Sequence, residues 1–529
     1  IMKIIKLLQE SIDAYLSDGG QARASNGFEL LANGRKPTPR SPLFRDREVG
    51  DIFTEWTGFL SQVGQSDPVL QPLVEYDLSR ITKVGPQGGY RPFSEREDDF
   101  AAYYTSPDES IDTGVISENT ISKCQEICFG NIRGRRPLTV ESVVKADKYD
   151  DKLLTNSGCT EYTRRDDPST IAKATKEAKS GGWKNLPFIL GSRAQRGAER
   201  FIFMAAFALN LIEKTYLYPI MEAIRQEAHP FFSAWEGFDQ VELGLAEMKF
   251  FSEDNVYITQ DYEKMDKHVN TTQMLIGHKV TSSMFQDKFV QLWKEILDYV
   301  LIAPVLIQLD KLVTGLHGMP SGAGVTNLIE TIISLYIYIR YGEVVTTTAG
   351  MALGDDMIFA VKRETNSDDE ILDVMTTISK EVGQVLNPEK QRIDGHTIVF
   401  LQRFFDDRIP NSGIVRGMYP SILALNTAMH PERFHDARKW SKEMEILRWI
   451  MILENCKNLP YYHELIQFFM KGDKYKLGTI IPGFFKELPL KYEESKAIKG
   501  FVPSYNQEGL NRGIYDFETV KYLQAIADS

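Results

Sequence analysis

The chain has 529 residues, 43% hydrophobic, 11% aromatic and 25% charged, and its 61 Lys and Arg against 73 Asp and Glu give a net charge of −12 at pH 7. This composition excludes disordered, collagen-like and disulfide-scaffold proteins, and at roughly 100–200 residues per domain it predicts several subdomains with a sizeable core. The acidic balance argues weakly against a nucleic-acid partner, except where phosphate contacts are confined to a tunnel and only local charge matters.

In chain order, Ile1, Met2, Ile4, Ile5, Leu7 and Leu8 recur at helical spacing and predict an amphipathic surface helix. Residues 18–47 are rich in Gly, Ser, Asn, Pro and Arg and include Pro37, Pro39 and Pro42, so they read as an extended arm. Residues 70–183 mix short periods with turn signals such as Gly85-Pro86-Gln87-Gly88-Gly89, which suggests irregular α+β structure. Residues 198–224 are apolar enough for a buried helix, yet their densest stretch, 201–212, contains Asn210 and is too short to span a bilayer, so no membrane partner is expected. Residues 287–309 read as helix until Pro304, and the chain beyond Met429 is largely helical, most clearly over 435–454. Cys124, Cys128, Cys159 and Cys456 are too few for a disulfide scaffold and stand at no zinc spacing, which points to folding in a reducing compartment.

Three local features carry chemistry. Leu353-Gly354-Asp355-Asp356 lies between apolar strands, so a hairpin would place two carboxylates at its tip, where like charges are costly unless a cation such as Mg²⁺ neutralises them. Asp261 and Asp266 follow the strand-like Val256-Tyr257-Ile258-Thr259, with Asp261 projecting from the strand end. Between these sites, the run from Gly315 to Gly324 makes a Gly-rich loop before an apolar helix starting near Thr326, and such loops let backbone amides and small hydroxyls approach a nucleotide. Each alone is equally a solvated turn or a helix-capping loop.

In this order, with Ser321 standing 55 residues after Asp266 and Asp355 34 residues after Ser321, the three features resemble motifs A, B and C of viral RNA-dependent RNA polymerases. The Ser-Gly-x-x-x-Thr core followed by Glu330, and the Asp-Tyr-x-x-Met-Asp form of motif A, look most like the picobirnaviruses, with the partitiviruses next. The resemblance covers about 193–405. Arg193, Arg196 and Arg200 resemble motif F, whose guanidiniums can pair bidentately with a triphosphate. Lys390 stands where motif D carries a lysine able to protonate leaving pyrophosphate. Residues 399–405 resemble motif E, an apolar hairpin packing palm against thumb.

The resemblance implies an α+β closed right hand with an antiparallel palm sheet backed by helices. Its divisions would be an N-terminal helix and arm (1–65), fingers (66–235), a palm with a fingers insertion near 270–312 (236–405), and a mostly helical thumb with a C-terminal segment (406–529). It implies templated nucleotidyl transfer by two Mg²⁺ ions, or Mn²⁺ in their place, held mainly by Asp261 and Asp355 with support from Asp356. Lys390 would complete the catalytic set. Arg193, Arg196, Arg200, Asp266, Ser321, Gly322, Thr326, Asn327 and Glu330 would contact the nucleotide. The implied partners are single- and double-stranded RNA, nucleoside triphosphates and a capsid protein, for a monomer working in the virion interior and host cytoplasm. It would start without a primer; the sequence leaves open whether 500–515, with its Gly, Pro and Asn content, enters the tunnel as a loop that supports initiation.

Many polymerases of this superfamily carry Asn at the position of Glu330, and an ionised carboxylate can only accept where Asn also donates. Glu330 beside Asp266 adds like charge, so one of the two is expected to be raised in pKa or bridged. The enzymatic rival is a reverse transcriptase, disfavoured by Leu353-Gly354 and by the polar Asp266 where an aromatic gate would stand. A non-catalytic RNA-binding protein is disfavoured by the clustered carboxylates, which a lapsed site has no physical reason to keep.

Overall fold

The computed structural model describes residues 1–105, 116–496 and 513–529. At its centre lies a four-stranded antiparallel sheet in the order Thr347–Leu353, Asp356–Lys362, Asn255–Gln260, Arg392–Asp394. The apolar run 357–361 shows why this sheet is central: Met357, Phe359 and Val361 enter the large core, whereas Ile358 and Ala360 enter a smaller cluster with Tyr257, Met351 and Phe405. Both faces are covered, so the strand is apolar at every position rather than at alternate ones. The helix Thr326–Tyr341, with nine of its first twelve residues apolar or hydroxylated and buried, packs beneath the sheet beside Asp368–Glu381.

A second, five-stranded sheet has the order Lys3–Lys6, Lys311–Thr314, Val305–Gln308, Phe188–Gln195, Ala198–Met204. It joins the segment around 270–312 to the basic hairpin formed by its last two strands. The helices Thr271–Ser282 and Asp287–Ile302 precede its middle strands, the latter ending before Pro304 as expected. Two further helices, Ser421–Met429 and Lys442–Glu454, build a separate core with Val49–Ser66 and Tyr462–Gly472. No helix of the described residues is long and apolar enough to cross a membrane.

Several sequence expectations need correction. The first residues form the strand Lys3–Lys6 rather than a helix, because β-branched Ile4 and Ile5 complete the edge offered by Lys311–Thr314. The expected arm over 18–47 is helical from Asp18 to Asn33, capped by Ser17 and anchored through buried Ala24, Phe28 and Leu31. Its glycines serve close approach rather than flexibility: a Cβ on Gly20 would lie 2.2 Å from the Thr160 carbonyl oxygen, and one on Gly27 would lie 2.3 Å from the Tyr162 hydroxyl. Residues 70–183, expected to be irregular α+β, carry the helices Gln71–Ser79, Glu97–Thr105, Glu118–Phe129, Val140–Tyr149 and Pro168–Ser180. The helix expected over 198–224 is instead the strand Ala198–Met204 followed by the helix Phe207–Glu227. Hairpin pairing with Phe188–Gln195 claims its first seven residues. The helix expected over 435–454 begins only at Ser441, whose hydroxyl caps Lys442–Glu454.

One buried carboxyl locks the N-terminal segment to the thumb-side core. Asp77 accepts from the backbone N–H groups of Ser421 (3.1 Å) and Ile422 (3.0 Å) and from the hydroxyls of Ser421 and Tyr461 (2.6 Å each), while Trp56 Nε1 donates to Ser421 Oγ at 2.7 Å. It thereby caps a helix that has no side-chain cap of its own. Asp77→Ala strands these donors and should cost about 3 kcal/mol or more, with Asp77→Asn milder, measured as the shift of the urea unfolding transition followed by tryptophan fluorescence.

Candidate active site

The acidic residues meet because of strand register. Gln260 pairs with Met357, so the next step of the same ladder sets Asp261 opposite Asp356. Leu353 pairs with Asp356 across a two-residue turn in which Gly354 has φ +60°. A positive φ at the first central residue alone fits a II′ turn, and Gly takes it without strain.

The helix Thr326–Tyr341 pins that turn from below. Gly354 N–H donates to Thr331 Oγ1 (2.8 Å), and Ser334 Oγ donates to the Gly354 carbonyl (3.2 Å). Tyr262 hydrogen-bonds the same Ser334 hydroxyl at 3.1 Å, tying the Asp261 segment to the hairpin tip. Gln391 holds Asp261 from the other side, accepting from its N–H and donating to its carbonyl, both at 2.8 Å. A cavity of about 640 Å³ opens here, lined by Asp261, Asp356, Lys390, Arg392, Arg80 and Tyr76 among others.

Burial raises all three carboxyl pKa values, and neighbouring acids add to it. Asp356 is pushed up to about 7 by burial and by Asp355 and Asp261, against the pull of Arg196. Asp355 rises through burial and the charges of Asp266 and Asp261, opposed by Arg200. Asp261 rises through loss of hydration and Glu263, with Lys390 pulling it down. Repelling carboxylates of this kind suit a hard divalent cation. Among the described residues no three such groups already form a closed metal cage. Mg²⁺ needs none, since it is held through one or two carboxylates together with water and substrate phosphates.

The basic residues divide. Arg196 and Arg200 reach the acidic centre, as their pull on Asp356 and Asp355 shows. Arg193 instead pairs with Glu432 across the cleft, at 2.5 and 3.2 Å. Lys390 is half exposed and pairs with Glu263 at 3.1 Å. The Gly-rich loop is docked against the basic hairpin: Ser321 Oγ accepts from Phe203 N–H at 3.3 Å, and a Cβ on Gly322 would fall 1.8 Å from the Phe203 carbonyl oxygen. Thr326 Oγ1 donates to the Pro320 carbonyl at 2.9 Å, and Trp235 Nε1 donates to Asn327 Oδ1 at 2.7 Å.

Glu330 is buried to 4% exposure, and its carboxyl is held well above the ordinary range by burial, by the charge of Asp266 and by a hydrogen bond to it. Its Oε1 has no hydrogen-bond partner. A neutral Glu330 donating to Asp266 through one oxygen and keeping the other as an acceptor presents the donor-and-acceptor pattern of an amide. The like-charge conflict expected from the sequence is thus relieved by a proton.

Sequence reasoning missed the residues that position the site: Gln391, Tyr262, Thr331, Ser334 and, behind the Gly-rich loop, Glu213. The last is fully buried, accepts from Val325 N–H at 3.0 Å and from Asn210 Nδ2 at 2.8 Å, and has its carboxyl pushed up by burial. A signal was present, since Asn327, Glu330, Thr331 and Ser334 form a polar stripe at i, i+3, i+4, i+7 on an otherwise apolar helix. Of the C-terminal segment 500–515, whose entry into the tunnel the sequence left open, residues 500–512 lie outside the described residues.

Residues 193–419 match the family model for viral RNA-dependent RNA polymerase. Over 516 residues, 91% of this chain and 92% of the relative, the sequence is 26% identical to a potential RNA-dependent RNA polymerase of a human picobirnavirus, strain Human/Thailand/Hy005102. The fold matches the crystal structure of a human picobirnavirus RNA-dependent RNA polymerase, with a TM-score of 0.83, and that of its insertion-loop deletion mutant, with a TM-score of 0.82. Each is 21% identical, and each comparison covers 98% of this chain and 100% of the other. The architecture is therefore that of the right-hand polymerases.

The raised Asp356 pKa makes cation binding pH-dependent. From the ordinary value of 3.8 up to about 7, the folded protein without metal keeps a proton that the unfolded chain has released, so stability falls as pH rises through that window. A cation must displace the proton. Mn²⁺ affinity, measured by calorimetry from pH 5.5 to 8.5, should rise up to about tenfold per pH unit below 7 and level above it, and Asp356→Asn should flatten the profile.

Proposed function

We propose, from its similarity to the viral RNA-dependent RNA polymerases and to that of a human picobirnavirus, that the chain copies RNA by two-metal nucleotidyl transfer at Asp261 and Asp355. The observation that carries this reading is the ladder register that sets Asp261 against the Asp355-Asp356 turn, whose carboxyls feel the charges of Arg196 and Arg200. The reaction is in-line attack of an RNA 3′-hydroxyl on the α-phosphate of a paired nucleoside triphosphate, forming the new phosphodiester and breaking the bond to the β-phosphate. Two Mg²⁺ ions, held mainly by Asp261 and Asp355, would supply Lewis acidity to the nucleophile and to the leaving group.

The rest falls to this chain's own residues. Asp356 supports the other two carboxylates. Arg196 and Arg200 hold the triphosphate, and Arg193 joins them by exchanging Glu432 for phosphate. Lys390, already in the cavity beside Asp261, gives its proton to departing pyrophosphate. The Ser321-Gly322 loop and Thr326 shape the nucleotide site, with Asn327 held by Trp235. Asp266 accepts from the ribose 2′-hydroxyl while neutral Glu330 orients it.

The kinship with picobirnavirus polymerases supports a double-stranded RNA genome as the object of both replication and transcription, with primer-independent starts. It equally supports work within a capsid and the host cytoplasm, as a monomer in contact with capsid protein.

Incorporation of labelled ribonucleotides on a primer-free single-stranded template should require Mg²⁺, occur with the parent and fall to background in Asp355→Ala. A preference for deoxyribonucleotides would overturn the reading in favour of reverse transcription. Glu330→Gln keeps a donor and an acceptor toward Asp266, so its ribo-to-deoxyribonucleotide ratio should stay within about threefold of the parent. Glu330→Ala should lower that ratio about tenfold, the cost of one lost hydrogen bond.

A further inference from the structure

Gln87 stands outside every motif, in the turn-rich segment between the first helices and the basic hairpin, and is 2% exposed. Both ends of its side chain are used. Its Oε1 accepts from Arg196 N–H at 3.0 Å, and its Nε2 donates to the His430 carbonyl at 2.7 Å. Its own carbonyl accepts from Thr38 N–H (2.9 Å), and the next residue, Gly88, donates to the Ala194 carbonyl (3.1 Å). Gly88 is wedged at φ +84°, where a Cβ would fall 2.6 Å from the Glu432 carbonyl oxygen. One buried amide thus spans from the tip of the basic hairpin to the start of the thumb.

The tip needs such support. Gln195 pairs with Ala198, so Arg196 and Gly197 form the two-residue turn, at φ +52° and +75°. Positive φ at both central positions marks a I′ turn, which suits Asn or Gly at the first of them and is strained for Arg. The strained residue is the one whose guanidinium lies within electrostatic reach of Asp356. Gln87 holds its N–H and so fixes the orientation from which the side chain departs.

We propose that Gln87 is a positioning residue for nucleotide binding, seating the Arg196 turn against the thumb so that the Arg196 guanidinium is aimed at the triphosphate. The proposal rests on the phosphate-binding role given to Arg196 above. Because Gln87 acts through Arg196, its loss should matter only while Arg196 is present. It should appear as weaker nucleotide binding rather than slower chemistry.

The test is a double-mutant cycle on the full chain, reading KM for the nucleoside triphosphate and kcat separately. Gln87→Met, similar in size but without donor or acceptor, should raise KM about tenfold and leave kcat within about threefold. In combination with Arg196→Ala it should add less than about twofold to the KM of Arg196→Ala alone. Gln87→Glu serves as the second variant if Gln87→Met fails to fold; its protonated form reproduces both bonds, so its KM should fall toward the parent value as pH is lowered. Multiplying effects in the cycle, an unchanged KM, or a loss confined to kcat would overturn the proposal. Activity of the parent in the same assay tests the polymerase reading separately, and an inactive parent would overturn that reading and this proposal with it.

Discussion

Mutual repulsion among Asp261, Asp355 and Asp356 is the constraint on which the rest of the structure depends. Carboxylates this close, in a place where protein has displaced part of their water, spread apart unless their backbones cannot move. The structure answers through backbone atoms: Gln391 on the Asp261 N–H and carbonyl, Thr331 on the Gly354 N–H, and Ser334 on the Gly354 carbonyl. Ladder register does the remainder, since slippage by one residue would turn the carboxylates to opposite faces of the sheet. Carboxyls held this way favour whatever neutralises them, so a proton and a cation would compete for the same place.

The same logic extends outward. The arginines proposed to bind phosphate sit on a hairpin that the central sheet does not carry, so their placement depends on what holds that hairpin. Beyond its sheet pairing with Val305–Gln308, the hairpin is held at its tip by Gln87, along its second strand by Ser321 and Gly322 at Phe203, and across the cleft by the Arg193–Glu432 pair. The N-terminal segment makes this closure possible by entering both cores. Ala24, Phe28 and Leu31 belong to the larger, and Leu43, Trp56 and Leu60 to the thumb-side one. Contacts such as Asp77 to Ser421 and Gln87 to His430 span more than 340 residues of chain. Loop-closure entropy opposes such pairings, and full burial at each end offsets it.

What could be read from the sequence was what local patterning encodes. The hairpin carrying Asp355, the strand before Asp261 and the helix after Thr326 were all legible, because short apolar runs closed by a turn or an acidic residue, and a long apolar run after a Gly-rich loop, keep their local signature when buried. The segment 18–33 was misread as part of an extended arm because of its glycines and polar residues, whereas Gly20 and Gly27 are there because Thr160 and Tyr162 pack against the helix. Only the partner, distant in sequence, reveals which use of glycine is meant. Gln87, Gln391 and Glu213 were invisible on the same ground, since nothing in their neighbourhood announces a contact more than 100 residues away.

Glu330 shows how such a remote environment can rewrite a residue's chemistry. Read as a letter, a carboxylate where relatives of the superfamily carry an amide looks like the loss of a donor and the gain of a charge. In place, burial and the neighbouring Asp266 make the charged form the expensive one, and the proton that restores neutrality also restores the donor. The hydrogen bond between Glu330 and Asp266 is then made by that proton. Substituting Glu for Asn at this position is therefore conservative in hydrogen-bonding pattern, although not in composition. Its dependence on burial means that any change letting water reach Glu330 would favour the charged form and bring back the repulsion from Asp266.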